Sequence, residues 1–186
     1  RKAWREQSQP MMGARNIQYE MADRIRAIDC GAIGAFHLMA QQLGLVSGIN
    51  QTVPLLKRHL PYFESDHVLN IAYNTLTGGT CLDDLEVRRQ DEAYLDALGA
   101  ERIPDPTTEG DFTRRFGPGD VTALMETING IRPQMWRRRL NRSERKEAIL
   151  DVDGTIAPTT GECKGGMGLS YKGVWGYHPL LISLAT

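Results

Sequence analysis

Two carboxylates separated by one residue follow a short apolar run in the last part of the chain. The run at 148–150, continued by Val152, predicts a β-strand, and Asp151 and Asp153 occupy positions i and i+2 of that strand. Because successive strand side chains point to opposite faces, both carboxylates are expected on the same side. We expect this strand to open an α/β catalytic domain, so that the chain is the front part of a longer enzyme.

The residues before this strand have a different periodicity. Residues 1–18 are polar and aperiodic, which predicts an extended lead-in. Apolar residues recur at helical spacing through 19–145, which predicts an all-helical domain. Residues 146–186 are Gly-rich, aromatic and β-branched, which predicts strands. The predicted fold class is therefore α + α/β, with the domain boundary near residue 145.

Within the helical part, turn residues and apolar spacing predict individual elements. We expect a turn at 46–50, a short helix at 53–59 and a single helix at 82–98 that ends at Gly99. The clearest long helix is predicted at 121–140, where a proline at position 133 should kink or restart it.

Composition narrows the class of protein. Hydrophobic residues make up 41% and charged residues 24% of the 186 residues, which is typical of a globular protein and too apolar for a disordered one. The net charge of −1 does not indicate a nucleic-acid binder, so any such role depends on a local patch. Cys30, Cys81 and Cys163 are far apart, which argues against a disulfide framework or zinc site and favours the cytoplasm. No apolar run approaches the ~20 residues of a membrane span.

A cluster of arginines lies between the predicted long helix and the predicted strand. On a helix, Arg138, Arg142 and Arg145 are spaced i, i+4 and i+7 and share one side. Such a cluster suits contacts with DNA phosphates. The alternative is a solvated helix end whose cations interact favourably with the helix dipole. On the residues alone both interpretations stay open, and the candidate DNA-binding residues are Arg137, Arg138, Arg139, Arg142 and Arg145.

The carboxylate pair itself admits more than one interpretation. Asp-Gly is a common turn dipeptide, so the pair can simply cap a loop. The segment 151–155, Asp-Val-Asp-Gly-Thr, resembles the first motif of the haloacid dehalogenase-like phosphohydrolases. That resemblance implies Asp151 as a phosphoryl-accepting nucleophile and Asp153 as a general acid/base. The family also needs a later Lys and a later acidic pair, and no Asp follows Asp153 here.

A longer resemblance involves the flanking residues. Several blocks of the chain, in the same order, resemble bacterial insertion-sequence transposases of the DDE, RNase H-like class. The similarity extends over roughly residues 20–186, and the blocks lie at 78–85, 88–91, 103–116, 147–155, 160–167 and 175–180.

This resemblance implies a fold, a chemistry and a set of partners. It implies a helical N-terminal domain followed by the first strands of an RNase H-like domain, in which the first catalytic Asp ends the first strand, with a Thr two positions later. Asp153 and Thr155 match that pattern, so Asp153 is the implied metal ligand and Asp151 the alternate. The implied cofactor is Mg²⁺ or Mn²⁺, and the implied partner is the duplex DNA of transposon ends, with a homodimer in the synaptic complex.

The same resemblance sets an expectation about activity. The other catalytic Asp and the Glu of the class are expected beyond Thr186, so this fragment is expected to be inactive alone. In full length it is expected to be a bacterial, nucleoid-associated enzyme of DNA transposition. The remaining alternative is a non-catalytic remnant that only binds DNA.

Overall fold

The structure is a computed structural model that describes residues 6–14, 30–139, 148–160 and 165–184. The chain divides into two compact units, and the division falls between Met135 and Trp136. The described residues form seven α-helices and small antiparallel sheets, so the chain is mixed α+β with a helical majority. In this part of the chain, no helix combines the length and the apolarity that crossing a membrane requires.

Seven helices account for most of the first unit, and the last of them extends past the division. A 3₁₀ turn at Leu82–Asp84 precedes the fourth helix. The helices are α1 (Ile33–Gln42), α2 (Leu45–Thr52), α3 (Glu64–Leu76), α4 (Leu85–Arg89), α5 (Glu92–Leu98), α6 (Pro106–Thr113) and α7 (Pro118–Arg139).

Three predicted elements are wrong, each because of a specific backbone conformation or side-chain contact. Residues 46–50 lie within α2, because Gly44 adopts a left-handed conformation (φ 77°) and the helix starts directly after it. Residues 53–59 are not helical, and the Leu56 N–H instead donates to Glu64 Oε1 at 2.8 Å. The segment 82–98 is divided, because Asp91 caps a new helix there.

Gly99 ends a helix as predicted, whereas the helix start at Asp91 was not predicted. The Asp91 carboxylate accepts N–H groups of Ala93 and Tyr94, which starts α5, and Gly99 ends α5 with φ 63°. Helix α7 begins at Pro118, where a missing N–H has no cost, and the Gly117 N–H donates to Asp120 Oδ2 at 2.9 Å. Helix α7 includes position 133 without restarting there.

The hydrophobic core of the first unit is assembled from several helices and from the N-terminal segment. The buried cluster comprises Met12, Ile33, Ala40, Ile49, Leu69, Tyr73, Tyr94, Leu98, Ala100 and Ile103.

Helices α2 and α7 are joined by a side-chain contact. Thr52 of α2 and Thr127 of α7 share a hydrogen bond of 2.7 Å between their hydroxyls.

Residues 6–14 contain neither helix nor strand, yet they are part of this core. Met12 is only 2% exposed. The Asp66 carboxylate, itself buried in α3, accepts the N–H groups of Met11 at 2.9 Å, Met12 at 3.1 Å and Phe63 at 2.9 Å. Burial raises the pKa of Asp66, and these N–H donors act against the rise. The polar composition of the lead-in gave no sign of this packing.

The described residues of the second unit form five short strands, all paired antiparallel. Strand β1 (Leu150–Gly154) pairs with β5 (Leu180–Leu184). A second sheet has the order β2–β4–β3, formed by Ala157–Pro158, Trp175–Tyr177 and Gly168–Leu169. The predicted strand at the carboxylate pair is therefore confirmed, as are strands between residues 165 and 185.

Candidate functional site

Strand β1 holds both candidate carboxylates on one face. In its register with β5, Asp151 lies opposite Ser183 and Asp153 lies opposite Leu181. All five residues of β1 are exposed. The face that carries the carboxylates is thus open to a ligand.

The two carboxylates have no partner in the second unit's described part. Among residues 148–160 and 165–184, no side-chain hydrogen bond or ion pair engages Asp151 or Asp153. A hydrogen-bonded capping role in a turn would give such a contact. Exposed carboxylate oxygens without partners are the donors that Mg²⁺ prefers, so the chemistry of this pair fits a hard cation.

A complete set of metal ligands is not formed by the described residues. Nowhere in them do three His, Cys, Asp or Glu side chains converge on one point. Glu162 is the only acidic residue after Asp153 in the sequence, and it lies outside the described residues. The pair on β1 alone therefore does not make a two-metal site, which needs carboxylates from more than one element.

The opposite face of the β1–β5 pair is apolar. Leu150 is 60% exposed, Val152 54% and Ile182 57%. Since cross-strand neighbours lie about 5 Å apart, these side chains form one continuous apolar surface on the other side from the carboxylates. The two carboxylates thus share the other face with Ser183 and Leu181.

The candidate DNA-binding arginines are only partly within the described residues. Arg137 and Arg138 lie in the last turn of α7 with exposed side chains. Arg139 ends the helix, and its side chain is not described. Arg142 and Arg145 lie outside the described residues, so the expected stripe through positions 138, 142 and 145 stays a prediction. Arg137 and Arg138 thus lie at the C-terminal end of the helix, where the helix dipole interacts favourably with positive charge.

A buried polar cluster on α3 was not anticipated from the sequence. His67 Nδ1 lies 3.1 Å from Glu109 Oε2, and Asn70 Nδ2 donates to Glu109 Oε1 at 2.7 Å. The His67 ring stacks on Phe112 with centroids 4.2 Å apart. Burial raises the pKa of Glu109, and its contacts with His67 and Asn70 act against the rise. In the sequence, the spacing of three residues between Glu64, His67 and Asn70 was the pattern that could have indicated this cluster.

A second buried contact joins α1 to the N-terminal segment. His37 Nδ1 lies 2.9 Å from the Tyr73 hydroxyl, and His37 Nε2 lies 3.1 Å from the Met12 carbonyl. Both contacts are satisfied when Nε2–H donates to Met12 and Nδ1 accepts from Tyr73. Burial lowers the pKa of His37. These buried contacts link α1 to α3 and to the N-terminal segment.

Comparison of the chain with family profiles, with curated proteins and with solved structures finds no match in any of the three. The function is therefore inferred from the residues and their geometry.

Proposed function

We propose that the chain is part of a DNA transposase of the DDE, RNase H-like class, which hydrolyses a DNA phosphodiester and joins the freed 3′-OH to new DNA. The observation that carries this proposal is the pair Asp151 and Asp153, exposed on one face of β1 and without partners in the described part of the second unit. The ordered series of sequence blocks that resembles this class also supports the proposal.

Asp153 is proposed as the first metal ligand, and Asp151 as the alternate. When bound, Mg²⁺ or Mn²⁺ would supply Lewis-acid stabilisation of the oxygens that enter and leave phosphorus. Asp153 would hold the cation from the end of the strand, and the open face of β1 would leave room for a DNA strand beside it. The other Asp and the Glu of the class are proposed to come from outside the described residues.

The proposed duplex contact lies at the C-terminal end of α7, with Arg137 and Arg138 as its described members. Guanidinium groups on an exposed helix end can contact phosphates without reading the base sequence. Helical residues at the unit boundary would thus position the duplex, while β1 would carry the chemistry.

The chemical part is tested with a protein that contains this chain together with the remaining carboxylates of the class. Asp153→Asn is expected to abolish strand cleavage and to leave duplex binding unchanged, because the carboxylate contacts the cation and not the duplex. Undiminished cleavage by Asp153→Asn, with loss in Asp151→Asn, would reassign the ligand to Asp151. Loss of para-nitrophenyl phosphate hydrolysis in Asp151→Asn, with no DNA cleavage by the parent protein, would favour the phosphohydrolase.

The binding part is tested with the chain itself. Its affinity for a duplex is expected to fall steeply with salt, and the double variant Arg137→Gln/Arg138→Gln should lower the slope of log K against log salt by roughly 1.8, since each phosphate contact on duplex DNA contributes about 0.9. The control is Arg89→Gln, an exposed arginine at the end of α4 in the first unit. An affinity that is flat from low to moderate salt would remove the duplex contact.

A further inference from the structure

A cleft of about 640 Å³ opens in the first unit, beside the loop that joins α2 to α3 and beside α6. This volume lies within the range of small-ligand sites. The cleft is separate from strand β1 and from the arginines of α7, since none of those residues lines it.

Three cations from two segments line this cleft. Lys57 and Arg58 belong to the α2–α3 loop, and Arg115 follows the end of α6. All three side chains are exposed, and within the described ranges none takes part in a hydrogen bond or ion pair. Asp111, which also lines the cleft, is held by Arg114 at 2.7 Å. The cleft therefore presents a net positive charge to an incoming ligand.

The same cleft has an apolar wall. Leu55, Leu60, Tyr62 and Phe112 line it, and Leu60 is 44% exposed. An apolar wall lowers the local dielectric constant, which strengthens the attraction between the cations and an anion. A ligand that suits both features carries phosphate charge and a flat apolar group in alternation.

We propose that this cleft binds an unpaired DNA strand. The phosphates would contact Lys57, Arg58 and Arg115, and a base would lie against the apolar wall near Leu60. Grooves for single strands combine a positive track for the backbone with aromatic side chains on which bases stack, and Tyr62 and Phe112 are the aromatic residues of this wall. A duplex keeps its bases paired and stacked inside, so only an unpaired strand presents a base face to such a wall. This surface differs from the duplex contact proposed at α7, so the two proposals can fail separately.

The proposal is tested by fluorescence anisotropy with a labelled oligothymidylate of about eight nucleotides, within the site size of such grooves. The triple variant Lys57→Gln/Arg58→Gln/Arg115→Gln is expected to weaken binding about tenfold or more at low salt. It should also lower the slope of log K against log salt by about 2, since each phosphate contact on a single strand contributes about 0.7.

Two further variants separate charge from the apolar contact. Lys172→Gln removes one positive charge at an exposed site in the second unit, and its affinity is expected to stay within about twofold of the parent's, as a site outside the cleft requires. Leu60→Ser is expected to weaken binding without changing the salt slope, because it removes apolar surface and no cation. Circular dichroism of each variant checks that the helices are intact.

Three results overturn the proposal. One is an unchanged salt slope in the folded triple variant. Another is a triple variant that loses affinity for duplex DNA of the same length and keeps its affinity for the oligothymidylate. The third is a Leu60→Ser variant whose affinity equals the parent's. The variant Arg137→Gln/Arg138→Gln is expected to retain oligothymidylate binding, which keeps this test independent of the duplex contact.

Discussion

Asp66→Ala is expected to destabilise the first unit by about 3–5 kcal/mol. The buried carboxylate of Asp66 accepts three backbone N–H groups, from Met11, Met12 and Phe63, at 2.9–3.1 Å. Leaving a buried donor unsatisfied costs about 1–3 kcal/mol, and some of the three can find water near the surface of the cleft beside residues 7–13. The sum is a large fraction of the stability of an ordinary domain, about 5–15 kcal/mol.

Asp66→Asn separates the loss of hydrogen bonds from the loss of volume. The asparagine side chain keeps one carbonyl oxygen. When that oxygen lies where Asp66 Oδ2 lies in the parent, it still accepts the N–H groups of both Met11 and Phe63. Only the bond to Met12 is lost, so the expected cost is about 1–2 kcal/mol.

Urea and thermal unfolding followed by circular dichroism at 222 nm measure both variants, since the helices lie mainly in the first unit. The Asp66→Ala variant should unfold about 9–15 °C below the parent, at roughly 3 °C per kcal/mol for a chain of this size. Hydrogen exchange at the Met11 and Met12 amides should accelerate as well. The matched control is Asp83→Ala, an exposed Asp in the 3₁₀ turn, expected within about 0.5 kcal/mol of the parent.

Two results would refute this reasoning. An Asp66→Ala variant within about 1 kcal/mol of Asp83→Ala would show that the three N–H groups find other acceptors at little cost. Equal costs for Asp66→Asn and Asp66→Ala would show that the number of accepted bonds does not set the stability.

Two other predictions concern positions where the backbone or a titrating group is constrained. Burial lowers the pKa of His37, so the folded state binds fewer protons than the unfolded chain just below pH 6.5, and stability should fall as the pH drops through that window. The His37→Gln side chain can still donate from its amide to Met12 but does not titrate. The urea midpoints of the variant at pH 7.5 and 5.5 should therefore differ less than those of the parent. An equal difference in the two proteins would contradict the assignment of this pH dependence to His37. Gly99→Ala should cost about 1 kcal/mol, because Gly99 has a φ of 63°. The control Gly119→Ala, in the first turn of α7 with open space around it, should be neutral or stabilising in the same thermal scan, and equal effects of the two changes would refute the backbone argument.

Elements set by neighbouring residues were predictable from the sequence. Gly99 ends α5 as predicted, and Asp91 starts it by an equally local capping rule, although the prediction of one helix over 82–98 missed that start. The alternation around Asp151 and Asp153 likewise predicted a strand with both carboxylates on one face, and β1 has that arrangement.

Elements set by distant contacts were not predictable. The segment 53–59 has apolar residues at helical spacing, but the Leu56 N–H is bound by Glu64, and a carboxylate on another element leaves no mark in local periodicity. The same holds for Asp66, whose partners Met11 and Met12 are more than fifty residues away in the chain. For the candidate site, the sequence placed two acids on one face but could not show what else approaches that face.

The anchoring of residues 6–14 by α3 has a practical consequence for anyone who shortens this protein. A boundary chosen from the described secondary structure would begin just before Ile33, where α1 starts. Such a truncation would remove Met12, and the buried Asp66 carboxylate would lose the backbone N–H groups that the N-terminal segment donates to it. A recombinant version trimmed that way is expected to be more susceptible to proteases than one that retains the N-terminal segment, so purification tags belong ahead of residue 6.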